Sequence, residues 1–176
     1  TSSTASATSQ AVRFHIEKAP LCIRAKGKTI TYGETLSDNG AEINGFVNNE
    51  NEAVLSGLNY AFDYAQFSDI GTYTIIPMDA KAENYKITYE NGVLNVQPKP
   101  VEIKWNGESI FYYDGTPKLV TAEAIGAVNG DALTVIIEDG SRTEIGAYTA
   151  RAVALAGGKA GNYVLPEAQT FSFQIK

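Results

Sequence analysis

The stretch Asn84-Tyr85-Lys86-Ile87-Thr88-Tyr89-Glu90-Asn91-Gly92-Val93-Leu94-Asn95-Val96-Gln97-Pro98-Lys99-Pro100 carries the signals that decide the fold. Tyr85, Ile87 and Tyr89 recur at every second position, and Leu94 and Val96 resume the pattern after Asn91-Gly92. Period two places those side chains on one face of a strand and the polar ones between them on the other. Both central residues of a type I′ turn need positive φ, which Asn tolerates and Gly takes freely, so Asn91-Gly92 between alternating runs reads as a hairpin. The closing Gln97-Pro98-Lys99-Pro100 has φ fixed at two positions and reads as a stiff junction rather than a tether.

The same grammar extends in both directions. Phe14 and Ile16, then Leu21, Ile23 and Ala25, alternate before this stretch; Val101, Ile103 and Trp105, and finally Phe171, Phe173 and Ile175, alternate after it. Asn39-Gly40, Asn44-Gly45, Asn106-Gly107, Asp114-Gly115, Asn129-Gly130 and Asp139-Gly140 supply further turn signals. The best helical stretch, residues 50 to 55, is long enough for one or two turns. The chain is therefore expected to be all-β.

Laid against itself, the chain repeats at a spacing of about 80 residues. Leu21, Ile23, Gly27 and Ile30 fall on Val101, Ile103, Gly107 and Ile110, and a one-residue insertion then carries Tyr32 onto Tyr113 and Val47 onto Val128. Asp69-Ile70-Gly71-Thr72-Tyr73 meets Glu144-Ile145-Gly146-Ala147-Tyr148, and Asn84-Tyr85 meets Asn162-Tyr163. An ordered series with only loop-sized offsets implies two tandem units, residues 19–98 and 99–176. Phe14-His15-Ile16-Glu17-Lys18-Ala19-Pro20 resembles the Leu94 to Pro100 junction, so residues 11–18 read as the closing strand of a preceding repeat. An edge strand on the first unit is the alternative reading of that segment. The Thr/Ser/Ala-rich residues 1–10 read as a linker.

Composition narrows the chemistry. The 176 residues hold 14 Lys and Arg against 20 Asp and Glu, a net charge of −6, which disfavours a nucleic-acid partner that needs a basic stripe. One His and one Cys cannot form an internal disulfide or furnish a zinc site, and no apolar run is long enough to span a bilayer, so neither metal nor membrane insertion is expected. His15 and Cys22 flank a junction and have no counterpart in the other repeat. The Asp and Glu residues lack the spacing of an acid–base pair, so no catalytic residue and no cofactor is assigned. The oxygen-rich stretch Asn48-Asn49-Glu50-Asn51-Glu52 lacks the register of a calcium loop and reads as solvated.

The candidate residues are structural. Tyr73 and Tyr148, each after an acid-x-Gly, match a corner tyrosine whose hydroxyl returns to the backbone, with Asp69, Gly71, Glu144 and Gly146 completing the motif. Tyr32-Gly33 and Tyr113-Asp114-Gly115 suit a tight turn that anchors an aromatic ring. Asn84-Tyr85 and Asn162-Tyr163 form the third recurring pair. Trp105, with Ala25 opposite it in the alignment, is read as core or junction, while Trp105 and Tyr112 remain the residues that would serve a glycan-binding surface.

In order and spacing, Lys18-Ala19-Pro20-Leu21, Ile30-Thr31-Tyr32-Gly33-Glu34, Gly45-Phe46-Val47-Asn48, Asp69 to Ile75 and Asn84 to Val96 resemble the MBG repeats, in their Tyr-Gly-x form, of bacterial surface proteins. The second unit, with Tyr112-Tyr113-Asp114-Gly115, is similar to the Tyr-Asp-Gly variety but has Pro166-Glu167-Ala168-Gln169 where the first has Tyr89-Glu90-Asn91-Gly92. The resemblance implies secretion to the bacterial cell surface, tandem arrays in adhesin-like proteins and no catalytic residues. Two tandem immunoglobulin-like β-sandwich domains are expected, with β-grasp-like modules as the alternative. The functional expectation is a non-catalytic, semi-rigid stalk whose partners are neighbouring repeats. Binding of a glycan or host surface protein is the alternative, and an accessory domain of a secreted carbohydrate-active enzyme a further one.

Overall fold

A computed structural model describes residues 11–37, 40–167 and 169–176. The linker reading of residues 1–10 and the Asn39-Gly40 turn fall wholly or partly outside these residues. The chain is all-β, with its helical segments among the described residues limited to two single 3-10 turns, Glu52–Val54 and Ala160–Asn162. The first half contains β1 (Ala19–Ala25), β2 (Lys28–Thr31), β3 (Ala41–Asn44), β4 (Asn59–Phe62), β5 (Gly71–Met78), β6 (Tyr85–Glu90) and β7 (Gly92–Gln97). The second contains β8 (Lys99–Pro100), β9 (Glu102–Asn106), β10 (Ile110–Phe111), β11 (Lys118–Leu119), β12 (Thr121–Ile125), β13 (Thr134–Glu138), β14 (Ser141–Arg142), β15 (Gly146–Ala156), β16 (Tyr163–Val164) and β17 (Thr170–Ile175).

In the first half a three-stranded sheet, β3-β1-β6, lies with a four-stranded sheet, β2-β7-β5-β4. The second half reproduces the four-stranded order as β10-β17-β15-β13, and splits the other sheet into the pairs β12–β9 and β16–β8. A short extra pair, β11–β14, has no counterpart among the described residues of the first half. Every strand ladder among the described residues joins partners on the same side of Pro98.

Asn91-Gly92 does not close a hairpin. β6 and β7 run on in one direction, and each pairs in parallel with its own stretch of the opposite arm: β6 with β1, β7 with β2. The chain bends there because two backbones come too close for side chains. A Cβ on Gly92 would stand 2.7 Å from the Ala25 carbonyl oxygen, and one on Gly27 would stand 3.1 Å from that of Val93. The turn dipeptide is thus a sheet-to-sheet crossover whose glycine serves close approach rather than positive φ. Asn106-Gly107 likewise separates β9 and β10, which pair with different strands, and Asp139-Gly140 leads from β13 into β14, which pairs with β11.

Pairing also moves the one-residue insertion. Thr29 stands opposite Asn95 and Ile110 opposite Gln174, so Ile30, opposite Val96, corresponds to Phe111, opposite Ile175, and not to Ile110. Burial agrees, since Ile30 is 5% exposed and Ile110 42%. The insertion therefore precedes β10.

Residues 11–18 form no strand, either as an edge to the first half or otherwise. Phe14 and Ile16 are 82% and 80% exposed, whereas Leu94 and Val96, their counterparts in β7, are 0% and 4% exposed. The difference is a sheet to pair with, which β7 has and this segment lacks.

Two apolar clusters hold the halves. The smaller sits wholly in the second half, where Val120, Ala150, Phe173 and Ile175 are buried beneath Trp105, Phe111, Ile137, Tyr148 and Phe171. The larger crosses the midpoint: Ala25, Ile30, Tyr32, Ile75, Leu94 and Val96 from the first half share it with Val101 and Tyr163 from the second. One continuous apolar core thus ties the end of one half to the start of the next.

Candidate functional site

A set of partly buried polar contacts lies where the halves meet. Tyr32 follows β2 and is pinned by its backbone N–H, which donates to the Gln97 carbonyl at 2.8 Å. Tyr163 opens β16, opposite Lys99 of β8. Their rings meet edge to face, 5.4 Å between centroids with 73° between planes, the arrangement the aromatic quadrupole favours. Both hydroxyls donate to the same carboxylate oxygen, Oδ2 of Asp131, Tyr32 at 2.9 Å and Tyr163 at 2.6 Å. The backbone N–H of Val128 donates to the Tyr163 hydroxyl at 3.0 Å.

Asp131 is held by local turn chemistry. Asn129 and Gly130 have φ of 55° and 72°, and the Asp131 N–H donates to the Val128 carbonyl at 3.0 Å, the signature of a type I′ turn that aims the acid at the junction. Gly33 has φ of 87°, and a Cβ there would lie 2.9 Å from Cγ2 of Val128, so the turn that carries Tyr32 packs directly on the one that carries Asp131.

Beside this aromatic bracket lies an ionic one. Oδ1 of Asp69 accepts from Lys159 Nζ and from Asn162 Nδ2, each at 2.7 Å, while Asn162 Oδ1 accepts from the backbone N–H of Ile70 at 2.9 Å. Asn162 is 4% exposed and satisfied on both ends of its amide. A buried amide with both partners in the other half fixes their mutual register.

Electrostatics follow the geometry. Burial and the hydrogen bond to Asp131 raise the Tyr32 pKa, and the same two causes push Tyr163 up to about 12. The hydrogen bond from Lys159, then that from Asn162, lowers Asp69, and Asp69 in turn raises Lys159. Hydroxyls are thereby kept protonated as donors and Asp69 ionised as an acceptor. The set can clamp two surfaces together. Among the described residues no group of three or more His, Cys, Asp or Glu is arranged to hold a metal ion.

The other residues singled out from the sequence fall into place around this junction. Tyr73 and Tyr148 donate their hydroxyls back to the carbonyls of Asp69 and Glu144, at 2.7 and 2.9 Å. Tyr85 donates to Glu50 Oε2 at 2.5 Å and accepts from the Val47 N–H at 3.1 Å. Gly71 and Gly146 open β5 and β15 opposite Val96 and Ile175. Gly115, with φ of 80°, follows Asp114, whose carboxylate meets Lys118 at 2.6 Å. Asn84 and Tyr113 are exposed. Trp105 is half-buried and stacked on Phe171 at 5.8 Å in the second core, and Tyr112, 75% exposed, has no part in that stack.

Asp131 and Lys159 were not singled out, although repeat arithmetic held the signal. Val47-Asn48-Asn49-Glu50 matches Val128-Asn129-Gly130-Asp131, and Lys81-Ala82-Glu83-Asn84-Tyr85 matches Lys159-Ala160-Gly161-Asn162-Tyr163. The stretch around Glu50 is accordingly a structural turn, with Asn51 Oδ1 accepting from the Ala53 N–H at the start of the first 3-10 turn.

No curated protein matches the chain. The β1 to β7 unit, with the Tyr-Gly turn and corner tyrosine just described, is the part that a family model recognises: residues 21–95 match the MBG domain, YGX type.

Proposed function

We propose that the chain is a non-catalytic, load-transmitting segment of a bacterial cell-surface protein. In this reading residues 19–98 and 99–176 are tandem immunoglobulin-like sandwich repeats that together make a semi-rigid spacer of a longer adhesin-like stalk. The single observation that carries it is the shared carboxylate of Asp131, which takes a tyrosine hydroxyl from each half at 2.9 and 2.6 Å. A joint closed by buried aromatic and polar contacts transmits orientation, whereas a flexible linker does not. The MBG match over residues 21–95 supports placement at the cell surface.

Small-angle scattering of the intact chain tests this. One fixed shape that accounts for the data across ionic strength supports the spacer, and a distribution of hinged shapes overturns it.

A further inference from the structure

Each half carries the parts of both sides of the junction, and among the described residues one of each is engaged. The first half contributes its far end, Tyr32 and Asp69; the second contributes its near face, Asp131, Lys159, Asn162 and Tyr163. At the outer ends the corresponding pieces stand ready. The near face of the first half has Glu50, Lys81, Asn84 and Tyr85 in the places of those four. Its turn has the same form: Asn48 and Asn49 have φ of 54° and 58°, and the Glu50 N–H donates to the Val47 carbonyl at 3.0 Å. Tyr85 already occupies Glu50 as Tyr163 occupies Asp131, at 2.5 and 2.6 Å. Among the described residues, Glu50 lacks the second hydroxyl that Asp131 has.

The far end of the second half holds that hydroxyl. The Tyr113 N–H donates to the Lys176 carbonyl at 2.8 Å, as the Tyr32 N–H does to that of Gln97. Yet Tyr113 is 50% exposed where Tyr32 is 1% exposed, and Ile145 is 66% exposed where Ile70 is 37% exposed. Among the described residues, the Glu144 carboxylate and the Lys81 ammonium have no side-chain partner, and they are the counterparts of the paired Asp69 and Lys159. An open cleft of about 670 Å³ lies between Val47, Glu50 and Asn84 and the chain's own residues 16–19. Asp114 stands where the junction has Gly33, but it is drawn onto Lys118 and Thr116, and the positive φ moves on to Gly115.

We infer that the Glu50–Lys81–Asn84–Tyr85 face is a docking site for the Tyr113–Glu144 end of a second copy of this chain. Tyr113 would give Glu50 its second hydroxyl, and Glu144 would meet Lys81 and Asn84. The contact is heterologous, so it propagates head to tail rather than closing into a dimer. The inference rests on the spacer reading and extends it from one joint to a series.

The covalent spacing of the existing joint dictates the test. Lys176 follows Ile175 as Gln97 follows Val96, and Ala19 pairs with Tyr85 as Lys99 pairs with Tyr163, so joining Lys176 to Lys18 of a second copy reproduces the native register. In this concatemer, spin labels on exposed strand positions either side of each joint report distance distributions. The expected result is a middle joint as narrow as the two built-in ones, broadened by Tyr113→Phe and by Lys81→Glu and left unchanged by Tyr112→Phe. A middle joint that hinges while the built-in joints stay narrow overturns the inference and leaves the spacer reading standing. Indifference to both Tyr113→Phe and Lys81→Glu also overturns it, and hinging at the built-in joints overturns both readings.

Discussion

Tyr32 and Tyr163 stand edge to face across the middle of the chain, 5.4 Å between ring centroids, and share Oδ2 of Asp131. Tyr32 follows β2 in the first half and Tyr163 opens β16 in the second, with 1% and 6% of their surface exposed. The energetics of the junction follow from that sharing. Removing one donor costs a hydrogen bond, while removing the acceptor strands two buried donors.

Tyr32→Phe is therefore expected to cost about 1 kcal/mol in chemical denaturation, and Asp131→Ala about 2 to 4 kcal/mol. In a double-mutant cycle the two substitutions are non-additive, because Tyr32→Phe removes one of the two hydroxyls that Asp131→Ala would strand. Additivity within error would show that the contact makes no net contribution.

The ionic bracket is asymmetric in the same way. The Asp69–Lys159 pair is largely in water, with side chains 65% and 44% exposed, so Lys159→Met is expected to leave the unfolding midpoint nearly unchanged. Asp69→Ala takes the acceptor from the buried Asn162 amide and is expected to lower the midpoint clearly more. Equal effects would contradict this ordering.

Stability should fall at both ends of the pH scale. Tyr163 is raised from 10.0 to about 12 in the folded chain, so its contribution is whole below pH 10.0 and is lost as pH climbs through about 12. Asp69 is lowered from 3.8 by Lys159 and Asn162, and Glu90 from 4.5 by Arg24, so their contributions hold above those values and fade as pH falls below them. Tyrosinate absorbance followed together with circular dichroism checks the alkaline limb. Phenol ionisation complete by pH 10.0 with the structure intact would contradict it.

Gly92→Ala is expected to cost about 1 to 3 kcal/mol, since the new methyl meets the Ala25 carbonyl at 2.7 Å and backbone on both sides has little room to move. Gly158→Ala, with open space around it and no positive φ, is expected to be neutral or stabilising by about 0.5 kcal/mol. Thermal melts of the two variants check the contrast.

Alternation made the strands legible, because burial on one face of a half-exposed sheet leaves a period-two trace, as in β7, where Leu94 and Val96 are buried and Val93 and Asn95 face outward. Connectivity was less legible. Asn91-Gly92 has the composition of a hairpin turn, and nothing local distinguishes a turn from a crossover whose glycine is required by the carbonyl of Ala25, far away in sequence. The insertion before β10 was similarly hidden, since Ile110 and Phe111 are both apolar and only pairing with Gln174 and Ile175 decides which faces inward. Tyr32, Asp69, Asn162 and Tyr163 are visible in the sequence as members of repeated pairs, but the bond between Tyr32 and Asp131 joins two different motifs from two different repeats. A self-alignment compares like with like and cannot reveal it.

The most direct test of a fixed junction is the alignment of the two halves in solution. Backbone residual dipolar couplings measured in residues 19–97 and 99–176 of the intact chain are expected to fit one common alignment tensor, and Asp131→Ala is expected to split it. Two tensors of different magnitude in the unsubstituted chain would contradict the shared Tyr32–Asp131–Tyr163 joint as the element that sets its shape.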